Sequence, residues 1–381
     1  MIAGLKRTRP SGLHLAAGAL LIALLLMAAV VSAEPRFALR QGVACSHCHV
    51  NRTGGGMRTA YGNAFAQTGL GTWDAFGIVN PRAGDSIAVG ANVRLSNRTT
   101  RKAAKKLADK TFEIAASNSF EMPEGNLYVN IALIPERLDV YIDETIGPEA
   151  ATNREAFVML GGGPADSYVK AGRFLLPFGL RLPDDRAFIR QETGFNYTNQ
   201  DLGVELGLAP HPFHFALAVT NGSLGGADIN FAKQLSAHAA VIGTWLRGGL
   251  SAAWNDTSTP DLAFSSLTFG GHLGARLGRL MLLGEFDWIH GSNDTESHDQ
   301  WALYTGADFE AIKGLYLRAT FEGFDPSRTQ TNNARDRFVF GLSWFPLPMC
   351  EIRAEYRLNR DIPQRIEGNA DEIIVELHGF L

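Results

Sequence analysis

Residues 127–133 read Leu127-Tyr128-Val129-Asn130-Ile131-Ala132-Leu133, and past Pro135-Glu136 the chain resumes as Leu138-Asp139-Val140-Tyr141-Ile142-Asp143. Apolar side chains return at every second position, which is the period of a strand and not that of a helix. The pattern recurs in Leu267, Phe269, Gly271, Leu273, Ala275 and Leu277 against Ser266, Thr268, His272 and Arg276. It recurs again in Leu315, Leu317, Ala319 and Phe321 against Tyr316, Arg318, Thr320 and Glu322, and in Ile373, Val375, Leu377, Gly379 and Leu381 at the C-terminus. Each segment therefore has one apolar face and one polar face.

A soluble sandwich alternates too, so the connections decide between the two folds. Short turns are predicted at Pro135-Glu136, Gly161–Pro164, Ala209–Pro212, Leu246–Gly249, Leu277–Arg279, Ala311–Gly314 and Phe345–Met349. Between them fall longer polar stretches at Asn97–Lys110, Ile146–Asn153, Pro177–Gln200, Asn221–Gln234, Asp256–Asp261, Gly291–Asp299, Pro326–Asp336 and Asn359–Asp371. Alternating short and long connections are expected of a transmembrane antiparallel β-barrel with tight periplasmic turns and long external loops, here of roughly 16 strands. Trp245, Trp254, Trp288, Trp301, Trp344 and Phe345 fall near strand ends, where interfacial aromatic girdles lie. The chain ends as a strand, as closure of a barrel on itself requires.

The 381 residues carry a net charge of −4, with 19% charged residues and 41 Gly, a balance that argues against a nucleic-acid partner. Lys6, Arg7 and Arg9 precede an apolar run from Leu15 to Val31, and Val31-Ser32-Ala33 offers small residues for cleavage. Residues 1–33 thus read as a cleaved signal peptide, with no cysteine at the junction to make a lipoprotein. Beyond Ala33 no run approaches the roughly 20 apolar residues a spanning helix needs. The remainder divides into a short segment, 34–75, and the barrel, 85–381.

The short segment contains Cys45-Ser46-His47-Cys48-His49. C-x-x-C-H is the spelling of c-type haem attachment: both cysteines form thioethers and the histidine binds the iron. A zinc site wants a second C-x-x-C or H-x-x-x-H pair nearby, and none follows; a thioredoxin-like redox pair wants an alternating strand and helix context, which is missing. The expected cofactor is one covalent haem c, with Cys45, Cys48 and His49 binding it and His49 as the proximal iron ligand. Met57 is the nearest soft candidate for the sixth position, behind a Gly54-Gly55-Gly56 run that lets backbone pass close to a porphyrin. The competing readings are that Met57 packs on the haem edge, or that the barrel supplies the ligand. His47, His211, His214 and His272 are weaker candidates, His272 because alternation points it into the lumen. So small a segment cannot build its own core, and it is expected to pack in or under the lumen.

The run Pro35-Arg36-Phe37-Ala38-Leu39-Arg40-Gln41-Gly42-Val43-Ala44-Cys45-Ser46-His47-Cys48-His49, followed by Tyr61-Gly62-Asn63-Ala64-Phe65 and Gly69, resembles the fused cytochrome-porins of outer membranes. The best-known members, from iron-oxidising bacteria, join one N-terminal haem to a porin barrel. They usually carry Pro and Leu ahead of Phe-Gly after the motif, where this chain has Gly54-Gly55-Gly56-Met57 and then Tyr61-Gly62. Ala171-Gly172-Arg173-Phe174-Leu175-Leu176-Pro177-Phe178-Gly179 is also similar to a strand-end motif of phosphate-selective porins.

The resemblance implies an electron conduit in the outer membrane of a Gram-negative bacterium, not an enzyme beyond oxidation of an extracellular metal donor such as Fe(II). Its partners would be membrane lipid, periplasmic electron carriers and an extracellular electron donor or acceptor. The alternative is a solute or anion porin with a haem-bearing plug or redox gate, and a third reading is a barrel-anchored haem peroxidase or sensor with an open sixth site. The connection Pro177–Gln200 would serve either as a constriction loop inside the lumen or as a solvated external loop. The basic stretch Arg101, Lys102, Lys105, Lys106 and Lys110 is expected on the first external loop, and Cys350 is left without a partner.

Overall fold

The alternation becomes strand throughout a computed structural model that describes residues 34–74, 79–102, 105–106, 112–113, 116–147, 151–228, 230–257, 264–293, 297–360 and 369–381. The expected signal peptide, 1–33, and Lys110 lie outside these residues.

Sixteen long strands follow one another: β1 (Ile87–Lys102), β2 (Ala116–Ile134), β3 (Leu138–Thr145), β4 (Thr152–Leu160), β5 (Tyr168–Phe174), β6 (Asp201–Leu208), β7 (Phe213–Thr220), β8 (Gln234–Ile242), β9 (Leu246–Asp256), β10 (Phe264–Leu277), β11 (Leu280–Asn293), β12 (Ser297–Ile312), β13 (Leu315–Asp325), β14 (Arg335–Trp344), β15 (Cys350–Arg360) and β16 (Ala370–Phe380). Each pairs antiparallel with its sequence neighbours, and the two-residue piece Arg82–Ala83 lies against β1. β16 pairs with β1 from Phe380 opposite Asn92 to Ala370 opposite Lys102, which closes the ring. Closure leaves no row of unpaired backbone groups facing lipid.

The two faces are inverted relative to a soluble protein. Leu202, Val204, Leu206 and Leu208 on β6 and Phe213, Phe215, Leu217 and Val219 on β7 are 42–52% exposed, whereas Asp201, Glu205 and Lys170 inside are fully buried. Apolar out and charged in is the pattern of a barrel solvated by lipid. Outward aromatics line up across register partners, as Phe269 and Trp288 do with ring centroids 6.1 Å apart.

Three connections differ from the sequence expectation. The tight turn placed at Leu246–Gly249 is three residues earlier, since Gly243 N–H donates to the Leu246 carbonyl and Leu246 already begins β9. Glycine spacing misled there: Gly248 and Gly249 are strand residues that make room for neighbours across the sheet. β1 continues to Lys102 and β11 to Asn293, so the connections expected from Asn97 and Gly291 start later. Their polar residues sit on strands that extend the barrel wall.

The lumen is filled from both ends. From the short-turn end enters residues 34–74, with helices α1 (Pro35–Gln41), α2 (Cys45–Cys48) and α3 (Ala60–Phe65) and a wide helical turn, Ala66–Leu70. From the other end the connection 175–200 folds inward, carrying a one-turn helix α4 (Phe188–Gln191). This settles the choice left open for Pro177–Gln200 in favour of a lumenal loop. Phe37, Leu39 and Leu70 from the segment pack with Leu180, Phe188 and Ile189 from the loop and Tyr304, Tyr316, Phe345 and Phe380 from the wall. The apolar core of this molecule is inside the barrel.

Charge fixes the N-terminal segment in place. Arg36, 1% exposed, pairs with Glu34 at 2.6 Å and Asp308 at 2.9 Å and donates to Ser343 at 3.0 Å. Glu34 in turn accepts from Arg353 at 2.6 Å, and Asn51 donates to Glu155 at 2.7 Å. Isolated buried charges are very unfavourable, so such groups persist only when paired this completely.

Candidate functional site

Helix α2 places Cys45 and Cys48 three residues apart on one turn, hence on one side. Cys48 is buried and Cys45 half-buried, and burial, with Cys45 adding to it, pushes the Cys48 thiol up to about 11. A thiol so seldom ionised is a poor redox nucleophile. His49 follows at the end of the turn, its Nδ1 held by the Gly56 carbonyl at 3.3 Å. That contact is the kind that fixes an imidazole's tautomer.

The local sequence explains the close packing. Thr59 caps α3, accepting from Gly62 N–H at 3.1 Å, and donates to the His47 carbonyl at 2.5 Å, tying α3 to the motif. A Cβ at Gly62 would lie 2.2 Å from the Cys48 carbonyl oxygen, so the Tyr61-Gly62 pair lets α3 rest directly on the motif turn. Gly54 and Gly55 have φ of +99° and +80°, and a Cβ at Gly54 would come within 3.2 Å of Cys45 Cβ. The glycine run thus brings backbone against Cys45.

Cys45, Cys48 and His49 line one cavity, whose other walls are Gly54, Gly55 and Arg58, the loop residues Pro177–Arg181, and His214, His238, His272 and Arg247 of the barrel. Arg181 closes it, donating to the Gly54 carbonyl at 2.5 Å and to the carbonyls of Leu175 and Leu176 at 2.6 and 3.1 Å. Met57 does not line this cavity. It is 2% exposed, packs with Tyr128 and Tyr141, and donates its N–H to Tyr141 Oη at 2.9 Å. Met57 and His47 instead border an adjoining space, which His49 and Arg58 also line and neither cysteine reaches. His211, in the β6–β7 turn, is not among the cavity's lining residues. Cys350 is half-buried at the start of β15, and the described part of the basic stretch includes Arg101 and Lys102 at the end of β1.

The donor set fits a c-type haem. Arg58 is buried with Nε and Nη2 lacking hydrogen-bond partners, and burial brings its guanidinium down to about 9. A cation in that position is suited to a carboxylate such as a haem propionate. His214 Nε2 and His272 Nδ1 are likewise buried without partners. Among the described residues no three His, Cys, Asp or Glu side chains could hold a bare metal ion.

Of the residues singled out in the sequence, the structure brings Cys45, Cys48, His49, His214 and His272 to one cavity and leaves Met57, His47 and His211 outside it. The cavity residues His238 and Arg58, and Gly249 against the His272 ring, were not singled out in the sequence as site residues. Alternation alone would have turned His238 inward, but nothing in the spacing of His214, His238 and His272 says that neighbouring strands bring them to one height.

A sixteen-stranded antiparallel barrel whose third long connection folds inward is a porin-like fold, and comparison with solved structures gives the same fold. An anion-selective porin from Comamonas acidovorans matches with a TM-score of 0.58 and 12% identity, covering 77% of this chain and 99% of that one. OmpT of Vibrio cholerae lacking loop L8 matches at 0.57 and 10%, covering 77% and 99%. The outer-membrane channel DcaP of Acinetobacter baumannii matches at 0.55 and 8%, covering 79% and 99%. No protein-family model and no curated protein sequence matches the chain.

Proposed function

We propose that this outer-membrane barrel carries one covalent c-type haem on its lumenal N-terminal segment and passes single electrons between the cell exterior and periplasmic carriers. One observation carries the reading: Cys45, Cys48 and His49 wall a cavity enclosed jointly by segment, loop and barrel. When bound, a c-type haem supplies reversible one-electron chemistry at its iron. The chain's own residues supply the rest. Cys45 and Cys48 anchor it, His49 holds the proximal position, Arg58 offers a charge to a propionate, and Arg181 with the Pro177–Leu180 backbone shields the site. Set within an apolar band about 25 Å tall, a lumenal site divides the crossing into two shorter steps.

The second reading is a solute or anion channel with the same segment as its plug. Its support is the company the fold keeps, since an anion-selective porin and an outer-membrane channel are among the similar structures. Against it stands a lumen occupied by an apolar core, where a diffusive pore holds water.

The test begins with the full chain expressed in a host that matures c-type cytochromes. Haem should survive denaturing electrophoresis on the wild type and be lost in Cys45→Ala/Cys48→Ala. In sealed liposomes, an impermeant reductant outside should reduce an acceptor trapped inside, with the double variant inactive. Covalent haem without transfer would favour the channel reading, and absence of covalent haem would overturn the proposal.

A further inference from the structure

The barrel wall beside the motif holds a row of imidazoles. His214 on β7, His238 on β8 and His272 on β10 all line the cavity of Cys45, Cys48 and His49. His238 and His272 stack with ring centroids 5.3 Å apart and planes 4° from parallel, and His214 lies 6.0 Å from His238. β9 runs between β8 and β10, and the row exists because β9 presents Gly249 there. Gly249 is the register partner of His272, and a Cβ on it would lie 2.4 Å from His272 Cε1 and 2.8 Å from Nε2. Two residues on, Ser251 is the register partner of His238 and lies 3.0 Å from its Nδ1.

Ser251 Oγ also accepts from Gly179 N–H at 3.0 Å, which ties this wall to the lumenal loop. A hydroxyl oxygen has two lone pairs, so Ser251 can accept from Gly179 and from His238 Nδ1–H together. That tautomer leaves His238 Nε2 with the lone pair a metal needs, the orientation a ligating histidine takes when its other ring nitrogen is held. His238 is half-buried between His214 and His272, which are buried with one ring nitrogen each lacking a partner and are expensive to desolvate without a ligand nearby.

We propose that His238 is the second axial ligand of the haem iron, completing with His49 a bis-histidine site, and that His214 and His272 flank it as positioning residues. This rests on the haem reading above. It places one iron ligand on the segment and the other on the barrel, so haem loading would staple the two together. It also replaces Met57, which lines the adjoining space and not the cavity of the two cysteines, and bis-histidine ligation gives a lower potential than histidine and methionine.

The experiment is electron paramagnetic resonance and optical spectroscopy of the full-length holoprotein in detergent, with heat-shifted gel mobility confirming that each variant's barrel is folded. The wild type should show a low-spin bis-imidazole signal and no thioether-to-iron charge-transfer band. His238→Ala should lose the low-spin signal and gain rapid carbon monoxide binding, with added imidazole restoring it. His238→Met should remain folded and acquire the thioether band, whereas Met57→Leu should leave the spectrum unchanged. An unchanged low-spin signal in His238→Ala, or its loss in Met57→Leu, overturns the assignment while leaving the haem reading intact. A wild type with no covalent haem overturns both.

Discussion

At the scale of single residues, the lumenal loop contains a carboxyl whose environment works against its charge. Asp185 accepts from Tyr197 N–H at 2.9 Å and has Arg190 at 3.7 Å, yet burial outweighs both and raises it from 3.8 to about 6. A carboxyl raised on folding favours the folded loop when protonated, so its contribution is fully present below 3.8 and is lost as pH rises through about 6. Its neighbour Asp184 is lowered by Arg357, Arg337 and Arg353 despite burial, and that contribution disappears only in more acid solution, as pH falls through the lowered value. Between these limits protonation of Asp185 favours the folded loop. Limited proteolysis of the loop should be slower at pH 5 than at pH 8, and Asp185→Asn should flatten the difference. Equal cutting of the wild type at both values would remove Asp185 from this role. None of this was legible beforehand: the mixed charges of 181–192 suit an external loop as well as an internal one, and only the partners Glu322, Arg335 and Arg357 on the wall decide. Cys45, Cys48 and His49 stand out in the sequence because the covalent haem attachment proposed for them would demand a fixed local spacing.

Elements were legible wherever one face meets lipid, because the two-residue period then records the solvent on each side of the strand. The segments read at 127–133, 267–277 and 315–321 are strands, and the alternation identifies their outward residues. The β8–β9 turn was misplaced since Gly248 and Gly249 resemble turn residues, although Gly249 is needed to clear the His272 ring. Face assignment has a direct test on β10 and β13. Phe269 is 47% exposed on the outer surface, while Thr320 faces inward. Phe269→Arg should weaken assembly by about 2–4 kcal/mol, the penalty for a cation near the bilayer midplane. Thr320→Arg should assemble nearly as the wild type does, as read by heat-dependent gel mobility after refolding into vesicles. Equal loss in both variants would contradict an outer lipid face.

For the whole molecule, the fold is shared with porins and the lumen is not arranged as theirs is expected to be. A barrel of this size encloses enough space for a water-filled channel, but here segment and loop meet in an apolar core and Arg36 joins the segment to the wall through Asp308 and Ser343. Removing one partner of a buried ion pair leaves an uncompensated charge, at a penalty of about 3–5 kcal/mol. Arg36→Ala removes the segment's own tie to Asp308 and Ser343 while Asp308 keeps Arg318 and Glu34 keeps Arg353, so the loss falls below that range, yet the segment should leave the lumen more often than in the wild type. In planar bilayers the wild type should therefore conduct ions poorly and the variant should open to larger currents. Transfer of electrons to a trapped acceptor should move the opposite way, falling as the motif loses its enclosed position. The opposite signs separate the two functional readings, because a plugged channel predicts a current that rises with no electron transfer to lose. A wild type already conducting as an open pore would show that the packed lumen does not persist in the membrane, and the conduit would lose its structural basis.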